Sequence, residues 1–210
     1  MNKRPPTGGQ PQLQKCILFL LLPWLSGKVA CRQPVIHVSR VVVVQPLGDF
    51  PSATAKQVYN ELKSVHRKVL LRSSIPLPAH AWYAPRIRYR ADSLIAYLRQ
   101  FGSSDTVLIG LTTQDISVTK GDIKDWGVMG YGYCPGQACV ASTYRLTKKR
   151  QQQQYYKVAI HELGHTQGLP HCSVISCYMR DAAGGNPLDE EHDFCPDCKS
   201  FLVSKGWQLR

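Results

Sequence analysis

Apolar residues along the chain follow two periodicities, one typical of buried strands and the other of helices that pack on a sheet. Residues 35–45 and 106–112 are continuous runs rich in valine, isoleucine and leucine, which predict two buried strands. Weaker strands are predicted at residues 127–133 and 140–146, on either side of a Cys-Pro-Gly loop. Two prolines limit residues 75–83 to an irregular or edge strand.

Helical spacing of apolar residues predicts four helices. The first would begin near Ser52 or Thr54, either of which could cap it. Its inward face would consist of the apolar residues Val58, Leu62, Val65 and Val69. Residues 91–101, 151–168 and 196–206 predict the other three helices. The alternation of strands and helices indicates an α/β layer, in which the third helix lies under the sheet.

The composition is that of a globular protein, with 43% hydrophobic and 19% charged residues. The chain carries 26 basic and 14 acidic residues, so its formal net charge is +12. A nucleic-acid-binding patch is one explanation of this excess. Because the basic residues are scattered and no nucleic-acid-binding motif accompanies them, we expect a solvated basic surface and no nucleic-acid partner.

Residues 1–32 have the character of a signal or targeting segment. Their apolar run, residues 16–25, has the length of the hydrophobic part of a signal peptide and is too short to span a bilayer. Cleavage near Gly27 or lipid attachment at Cys31 would make the protein exported, and then periplasmic, extracellular or membrane-attached. The alternative is an uncleaved tail on a cytoplasmic protein. Residues 33–210 would form a single domain.

A pattern typical of a catalytic zinc site, His-Glu-x-x-His-x-x-Gly-x-x-His, lies in the third predicted helix and just beyond it. His161 and His165 are four residues apart, so a helix places both imidazoles on one face. Gly168 permits the left-handed turn that would bring His171 back as the third ligand. Three histidines leave a fourth zinc position open to water. Zinc lowers the pKa of that water, and the Glu162 carboxylate can take its proton as a general base.

Four cysteines follow this motif with a spacing that suits a structural zinc site. Cys195 and Cys198 form a Cys-x-x-Cys pair, and four residues separate Cys172 from Cys177. A zinc bound by the four thiolates would supply folding energy to a segment that has few apolar residues. Two disulfides are the competing interpretation, which an exported protein would permit.

A further pair of cysteines, Cys134 and Cys139, flanks the short loop at residues 135–138. In an oxidising compartment the two thiols could close a small disulfide loop. Free thiols on a turn are the alternative, and the residues around them do not decide between the two.

The segment from His161 to Cys198 closely resembles the signature of the archaemetzincins, which are metzincin-clan metallopeptidases with a second zinc bound by four cysteines. The pattern is His-Glu-x-x-His-x-x-Gly-x-x-His-Cys, four residues, Cys-x-Met, and then Cys-x-x-Cys. The resemblance implies two zinc ions, one catalytic and one structural. The ligands would be His161, His165 and His171 for the first, and Cys172, Cys177, Cys195 and Cys198 for the second.

The resemblance also implies a fold and further roles. The fold would be metzincin-like α/β (α+β), with a twisted mixed sheet that has an antiparallel edge strand and packs on helices. Residues 33–168 would form an upper subdomain and residues 169–210 a small, zinc-tied lower one. Glu162 would be the general base and later the proton donor, and Met179 would form an apolar floor beneath the zinc. An extended peptide would lie by strand addition along an edge strand that contains Val140, Ala141 and Ser142.

The chain departs from the family pattern in two places. Only 15 residues lie between Met179 and Cys195, slightly fewer than the pattern leads us to expect. Some metzincins have a tyrosine two residues after the methionine, whereas this chain has Asp181, so the tyrosine's role is vacant. The predicted function is a monomeric zinc metallopeptidase that acts on peptide or protein substrates. The alternative is a zinc-stabilised peptide-binding or scaffold protein with little turnover, against which the presence of Glu162 argues.

Overall fold

A five-stranded mixed sheet forms the centre of residues 40–209, the part of the chain that the computed structural model describes. The strands of this part are, in chain order, β1 (Val41–Pro46), β2 (Val69–Leu71), β3 (Trp82–Tyr83), β4 (Arg88–Arg90), β5 (Thr106–Thr112), β6 (Ile116–Lys120), β7 (Ile123–Val128), β8 (Gly130–Gly132) and β9 (Ala138–Ser142). The central sheet has the order β2-β1-β5-β9-β8. Its first four strands are parallel, and β8 pairs antiparallel with β9 at one edge. The predicted α/β fold with a mixed sheet and an antiparallel edge strand is confirmed.

Helices cover both faces of the central sheet. They are α1 (Ser52–Val65), α2 (Ala91–Arg99), α3 (Gln151–Gln167) and α4 (Pro196–Ser204). In β1, Val42 belongs to the core formed with α1 and α3, whereas its neighbour Val43 belongs to the core formed with α2. Because both faces are covered, the central strands are apolar along their length and not only at every second residue. The third predicted helix, α3, packs against one face of this sheet, as expected.

A second sheet, which the sequence did not predict, packs on the same side as α2. It has four strands in the order β3-β4-β6-β7. Ile116 and Val118 of β6 face the core shared with α2, while the rest of that strand is polar or exposed. Ion pairs also stabilise this sheet. Asp115, the residue before β6, pairs with Arg88 of β4 at 3.1 Å and with Arg145 at 2.9 Å. A strand with so few apolar residues has a weak sequence signal.

Two details of α1 differ from the prediction. The residue that precedes the first turn is Pro51, and neither Ser52 nor Thr54 caps the helix, because the helix already includes both of them. The helix ends at Val65, and Val69 lies in β2, where it pairs with Val42 of β1. Val69 is buried by the sheet rather than by a helical face, so its helical spacing was coincidental.

The signal or targeting segment predicted at residues 1–32 lies outside the described residues and stays a prediction, as do export and membrane attachment. The first residues of the strand predicted at 35–45 lie outside them too. Among residues 40–209, no helix has the length and apolar character that crossing a membrane requires.

His66, at the carboxyl end of α1, joins the beginning of the described chain to its last residues. Its Nε2 lies 3.2 Å from the carbonyl oxygen of Arg40, and its Nδ1 accepts a hydrogen bond from the backbone N–H of Gln208 at 3.2 Å. The ring centroid is 4.7 Å from that of Trp207. The side chain is buried, and burial lowers the pKa of His66. Both contacts are satisfied by a neutral imidazole, because Nδ1 must be unprotonated to accept.

We expect His66 to make the protein less stable as the pH falls below about 6.5, the usual pKa of histidine in an unfolded chain. Below that pH the unfolded state binds a proton that the folded state, with its lowered pKa, binds less readily. The free energy of unfolding, measured with urea at pH 8 and pH 5.5, should therefore fall less in His66→Gln than in the wild type. Protonation of other histidines affects both proteins equally, so an equal fall in the two would contradict this role.

Candidate metal centres

Helix α3 and the turn after it bring three histidines together. His161 and His165 project from one face of the helix, and their Nε2 atoms lie 3.0 Å apart. The helix ends at Gly168, which has φ 100°, and the N–H of Leu169 bonds to the carbonyl of Gly164. This left-handed turn is one that glycine adopts without strain. It returns the chain so that the ring of His171 is 4.9 Å from the ring of His165.

The donor atoms of the three histidines suit a zinc ion. One nitrogen from each of His161, His165 and His171 lies within 4.8 Å of the others. The Nδ1–H of His161 donates to the carbonyl oxygen of Tyr178 at 2.7 Å, and that of His165 to Leu169 at 2.8 Å. These bonds leave Nε2 of both rings as the free donor atom, the arrangement found in metal-binding histidines. Burial lowers the pKa of His161 to about 4 and also lowers that of His165, so both rings stay neutral as ligands must.

Glu162 lies beside this group with its carboxylate against the edge strand β8. The side chain is 7% exposed, and burial raises the pKa of Glu162 to about 8. A Cβ atom added to Gly130 would stand 2.6 Å from Oε1 of Glu162. One added to Gly132 would stand 2.8 Å from the backbone carbonyl oxygen of Glu162. Only glycine fits at these two positions, so the Gly-Tyr-Gly sequence of β8 creates the space for the carboxylate.

Met179 packs directly beneath the histidine-bearing part of α3. Its side chain is fully buried, and its sulfur would stand 2.3 Å from a Cβ atom at Gly164. The contact is therefore between the methionine and the bare backbone of the helix at the residue directly before His165. The role of Met179 as an apolar floor beneath a bound zinc stays a prediction.

The four cysteines that follow the histidines meet in a second cluster. The sulfur atoms of Cys172, Cys177, Cys195 and Cys198 all lie within 4.8 Å of one another. Those of Cys172 and Cys195 are 3.7 Å apart, close to the roughly 3.8 Å that tetrahedral geometry with Zn–S bonds of about 2.3 Å requires. The Cys177 sulfur accepts from the N–H groups of Met179 at 3.5 Å and Cys195 at 3.3 Å. Such bonds favour the thiolate form that binds metal.

Backbone contacts connect the two clusters. His171 and Cys172 are adjacent in sequence, and the N–H of Cys172 bonds to the carbonyl of Met179 at 2.8 Å. Tyr178, whose carbonyl oxygen accepts from His161, is the residue after Cys177. The cysteine cluster is therefore positioned to fix two of the three histidines.

The six cysteines in residues 40–209 are all free thiols. Cys139 lies in β9, where its buried thiol faces the carbonyl oxygen of Leu108 at 3.7 Å. The exposed Cys134 instead donates to the carbonyl of Leu169 at 3.4 Å. The alternative of free thiols therefore applies to this pair, and the structure has no disulfide between them.

The prediction that Val140, Ala141 and Ser142 form the edge strand is wrong. All three residues are fully buried in β9, which pairs with β5 on one side and β8 on the other. Their backbone groups are already used inside the sheet. The edge next to Glu162 is β8 (Gly130–Gly132), which lies within the weaker strand predicted at residues 127–133, so the error concerned which of the two weaker strands lies at the edge.

A cleft of about 670 Å³ contains the histidines, Glu162 and the edge strand β8. The loop after Met179 also lines this cleft, and it contains a residue whose contact the sequence did not predict. Asp181, where the resemblance left a role vacant, has its Oδ2 atom 3.3 Å from Nδ1 of His171. The two residues are ten positions apart in an irregular segment, so no periodic pattern could reveal the contact.

Comparisons with known proteins find similarity along most of the described chain. The model of the family described as peptidase family M54 matches residues 50–203. The archaemetzincin of Halobacterium salinarum is 30% identical over 172 residues, covering 75% of this chain and 96% of that protein. The crystal structure of Methanopyrus kandleri archaemetzincin is 26% identical with a TM-score of 0.68, covering 81% of this chain and 98% of that one. Archaeoglobus fulgidus archaemetzincin, complexed with malonate, is 27% identical with a TM-score of 0.64 over 76% and 98% of the two chains.

Proposed function

The chain belongs to peptidase family M54, the archaemetzincins, and from this premise we propose that it hydrolyses peptide bonds at the three-histidine centre with Glu162 as the general base. As a member of the family it is a zinc metallopeptidase. The role of Glu162 is supported above all by its buried carboxylate, which lines the same cleft as His161, His165 and His171. A protein that only bound peptides would have no need of a buried carboxylate at this position.

A zinc ion held by the three histidines would supply Lewis acidity to water and to the carbonyl of the scissile bond. The Glu162 carboxylate takes a proton from the attacking water and later delivers it to the nitrogen of the leaving amine. Burial raises the pKa of Glu162, and the positive charge of a zinc ion beside it would favour the carboxylate form that accepts the proton. The carbonyl oxygens of Tyr178 and Leu169 hold the rings of His161 and His165 in the orientation that presents Nε2.

The substrate we propose is an extended peptide that adds as a further strand to β8 (Gly130–Gly132). Within the described sheet this strand has a partner on one side only, β9. Its free backbone N–H and C=O groups can pair with a peptide. Gly130 lies against the Glu162 carboxylate, so a peptide on this edge would pass beside the proposed base. Recognition through the backbone suits a peptide or protein substrate.

Zinc removal tests the proposed function. Chelation should abolish cleavage of a peptide library, and returning zinc to the same sample should restore it, because the Lewis acid is regained. Cleavage that persists in the metal-free protein would contradict the proposal. Tight peptide binding without cleavage by the zinc-loaded protein would favour the alternative function, a zinc-stabilised binding or scaffold protein.

Gly130→Ala should lower kcat/KM by roughly 10²-fold, since misplacing a catalytic group by about 1 Å has an effect of this size. The added methyl group would overlap the Glu162 side chain, whose Cγ lies 2.6 Å from that position. The matched control is Gly185→Ala on the cleft wall, where the added atom would stand 3.3 Å from the nearest neighbour, the carbonyl oxygen of Ala182. Peptidase assays and zinc analysis of both variants check this. Equal activity of the two would show that the space at Gly130 is not required.

A further inference from the structure

The third histidine lacks the support that the helix gives to the other two. His161 and His165 project from α3, and each is fixed by a hydrogen bond from Nδ1 to a backbone carbonyl. His171 lies on the loop beyond Gly168, and its side chain is 48% exposed. A half-exposed ligand on a loop needs another group to set its orientation, because a metal binds tightly only when its ligands are held in place.

The carboxylate of Asp181 lies next to Nδ1 of His171, the ring nitrogen that in the other two histidines faces a backbone carbonyl. Its Oδ2 atom lies 3.3 Å from Nδ1 of His171. A carboxylate can only accept, so it selects the imidazole form with the proton on Nδ1 and leaves Nε2 for a metal. In all three histidines Nδ1 then faces an oxygen atom, and only that of the third belongs to a charged group.

Asp181 is itself held in place from two directions. Its other carboxylate oxygen, Oδ1, accepts from the N–H of Ala183 at 2.9 Å. Ala183 has φ 46°, a left-handed conformation that a side chain other than glycine rarely adopts, and it closes the turn around the carboxylate. Next to Asp181, Arg180 forms an isolated bridge with Cys172, the neighbour of His171. The backbone therefore fixes both members of the Asp181–His171 pair relative to each other.

We propose that Asp181 is a positioning residue that orients His171 for zinc and strengthens its binding through the carboxylate charge. The proposal rests on the proposed function only in taking the three histidines as the zinc ligands. An ordinary surface ion pair would contribute little to stability and nothing specific to metal affinity. The difference between these roles is measurable, because carboxylate partners of metal-binding histidines typically change metal affinity by about 10–100-fold.

The test compares three variants of the full-length protein by zinc affinity. Asp181→Ala should weaken zinc binding at the three-histidine centre by about 10–100-fold in a chelator competition. Asp181→Asn keeps an oxygen that can accept from His171 but loses the charge, so its affinity should lie between those of Asp181→Ala and the wild type. Glu190→Ala is the matched control. It removes a carboxylate from the same loop, but that carboxylate pairs with Arg180 rather than with His171. Its zinc affinity should stay within about twofold of the wild type.

Cobalt exchanged into the histidine centre, with zinc left at the four cysteines, can report on the histidine centre alone, and the absence of intense thiolate charge-transfer bands verifies this loading. The weak visible bands of the histidine-bound cobalt should therefore change in Asp181→Ala and not in Glu190→Ala. An Asp181→Ala protein that binds zinc as the wild type does, with an unchanged cobalt spectrum, would overturn the proposal. These measurements do not require peptidase activity. A loss of affinity in a protein that cleaves no peptide would support the role of Asp181 while contradicting the proposed function.

Discussion

Glu162→Gln should lower kcat/KM for a peptide substrate by roughly 10²–10⁴-fold, the usual contribution of a general acid–base group. Glutamine has the same shape, so it fits the space beside Gly130 that the glutamate occupies. It cannot take up a proton as a carboxylate does. The metal-binding nitrogens of His161 and His165 do not involve this side chain, so the zinc content should stay that of the wild type.

A matched control for this variant is Glu191→Gln. Glu191 is a second buried carboxylate in the wall of the same cleft, and burial raises its pKa to about 7. It lies near Lys157, whose ammonium group donates to the Glu191 backbone carbonyl, and it has no role in the proposed reaction. Its kcat/KM should stay within about tenfold of the wild type. Equal activity of Glu162→Gln and the wild type would show that another group takes the proton.

The parts of the site that the sequence predicted correctly depend on local geometry. The spacing of His161 and His165 and the turn at Gly168 are properties of one helix and its end, so they follow from the chain itself. The grouping of the four cysteines followed from their spacing and from the resemblance, and the structure brings the sulfur atoms together. The parallel strands at the sheet centre were recognisable because burial on both faces leaves continuous apolar runs.

The parts that the sequence did not predict depend on contacts between distant segments. Whether β9 is an edge strand is decided by the short strand β8, which adds outside it, and the apolar pattern of two weak strands does not show which of them lies at the edge. The contact of Asp181 with His171 depends on the path of an irregular loop. Glycine is required at position 130 because the Glu162 side chain lies against it. Glu162 belongs to α3, which begins 21 residues after Gly130, at Gln151. Such contacts appear only when the tertiary structure is known.

Cys198→Ser should remove zinc from the four-cysteine cluster and, through it, weaken zinc at the three-histidine centre. Metal binding contributes folding free energy directly, so the thermal midpoint of the variant should fall by roughly 10 °C or more. Zinc binding at the three histidines should weaken as well. Tyr178 and Cys172 belong to the segment that the cysteine cluster holds in place, and they support His161 and His171. Zinc analysis should find two ions per chain in the wild type and fewer than one in the variant.

Cys134→Ser is the matched control, since Cys134 is exposed and its thiol lies outside the cluster. It should keep both zinc ions and the thermal midpoint of the wild type. If Cys198→Ser lost one zinc but bound the other as tightly as the wild type, the two centres would be independent. If reduction with a thiol, rather than chelation, destabilised the wild type, the cluster would consist of two disulfides. If the four cysteines bind zinc, chelation without a reducing agent should remove both ions. The histidine-bound zinc should leave first, because fewer charged ligands hold it.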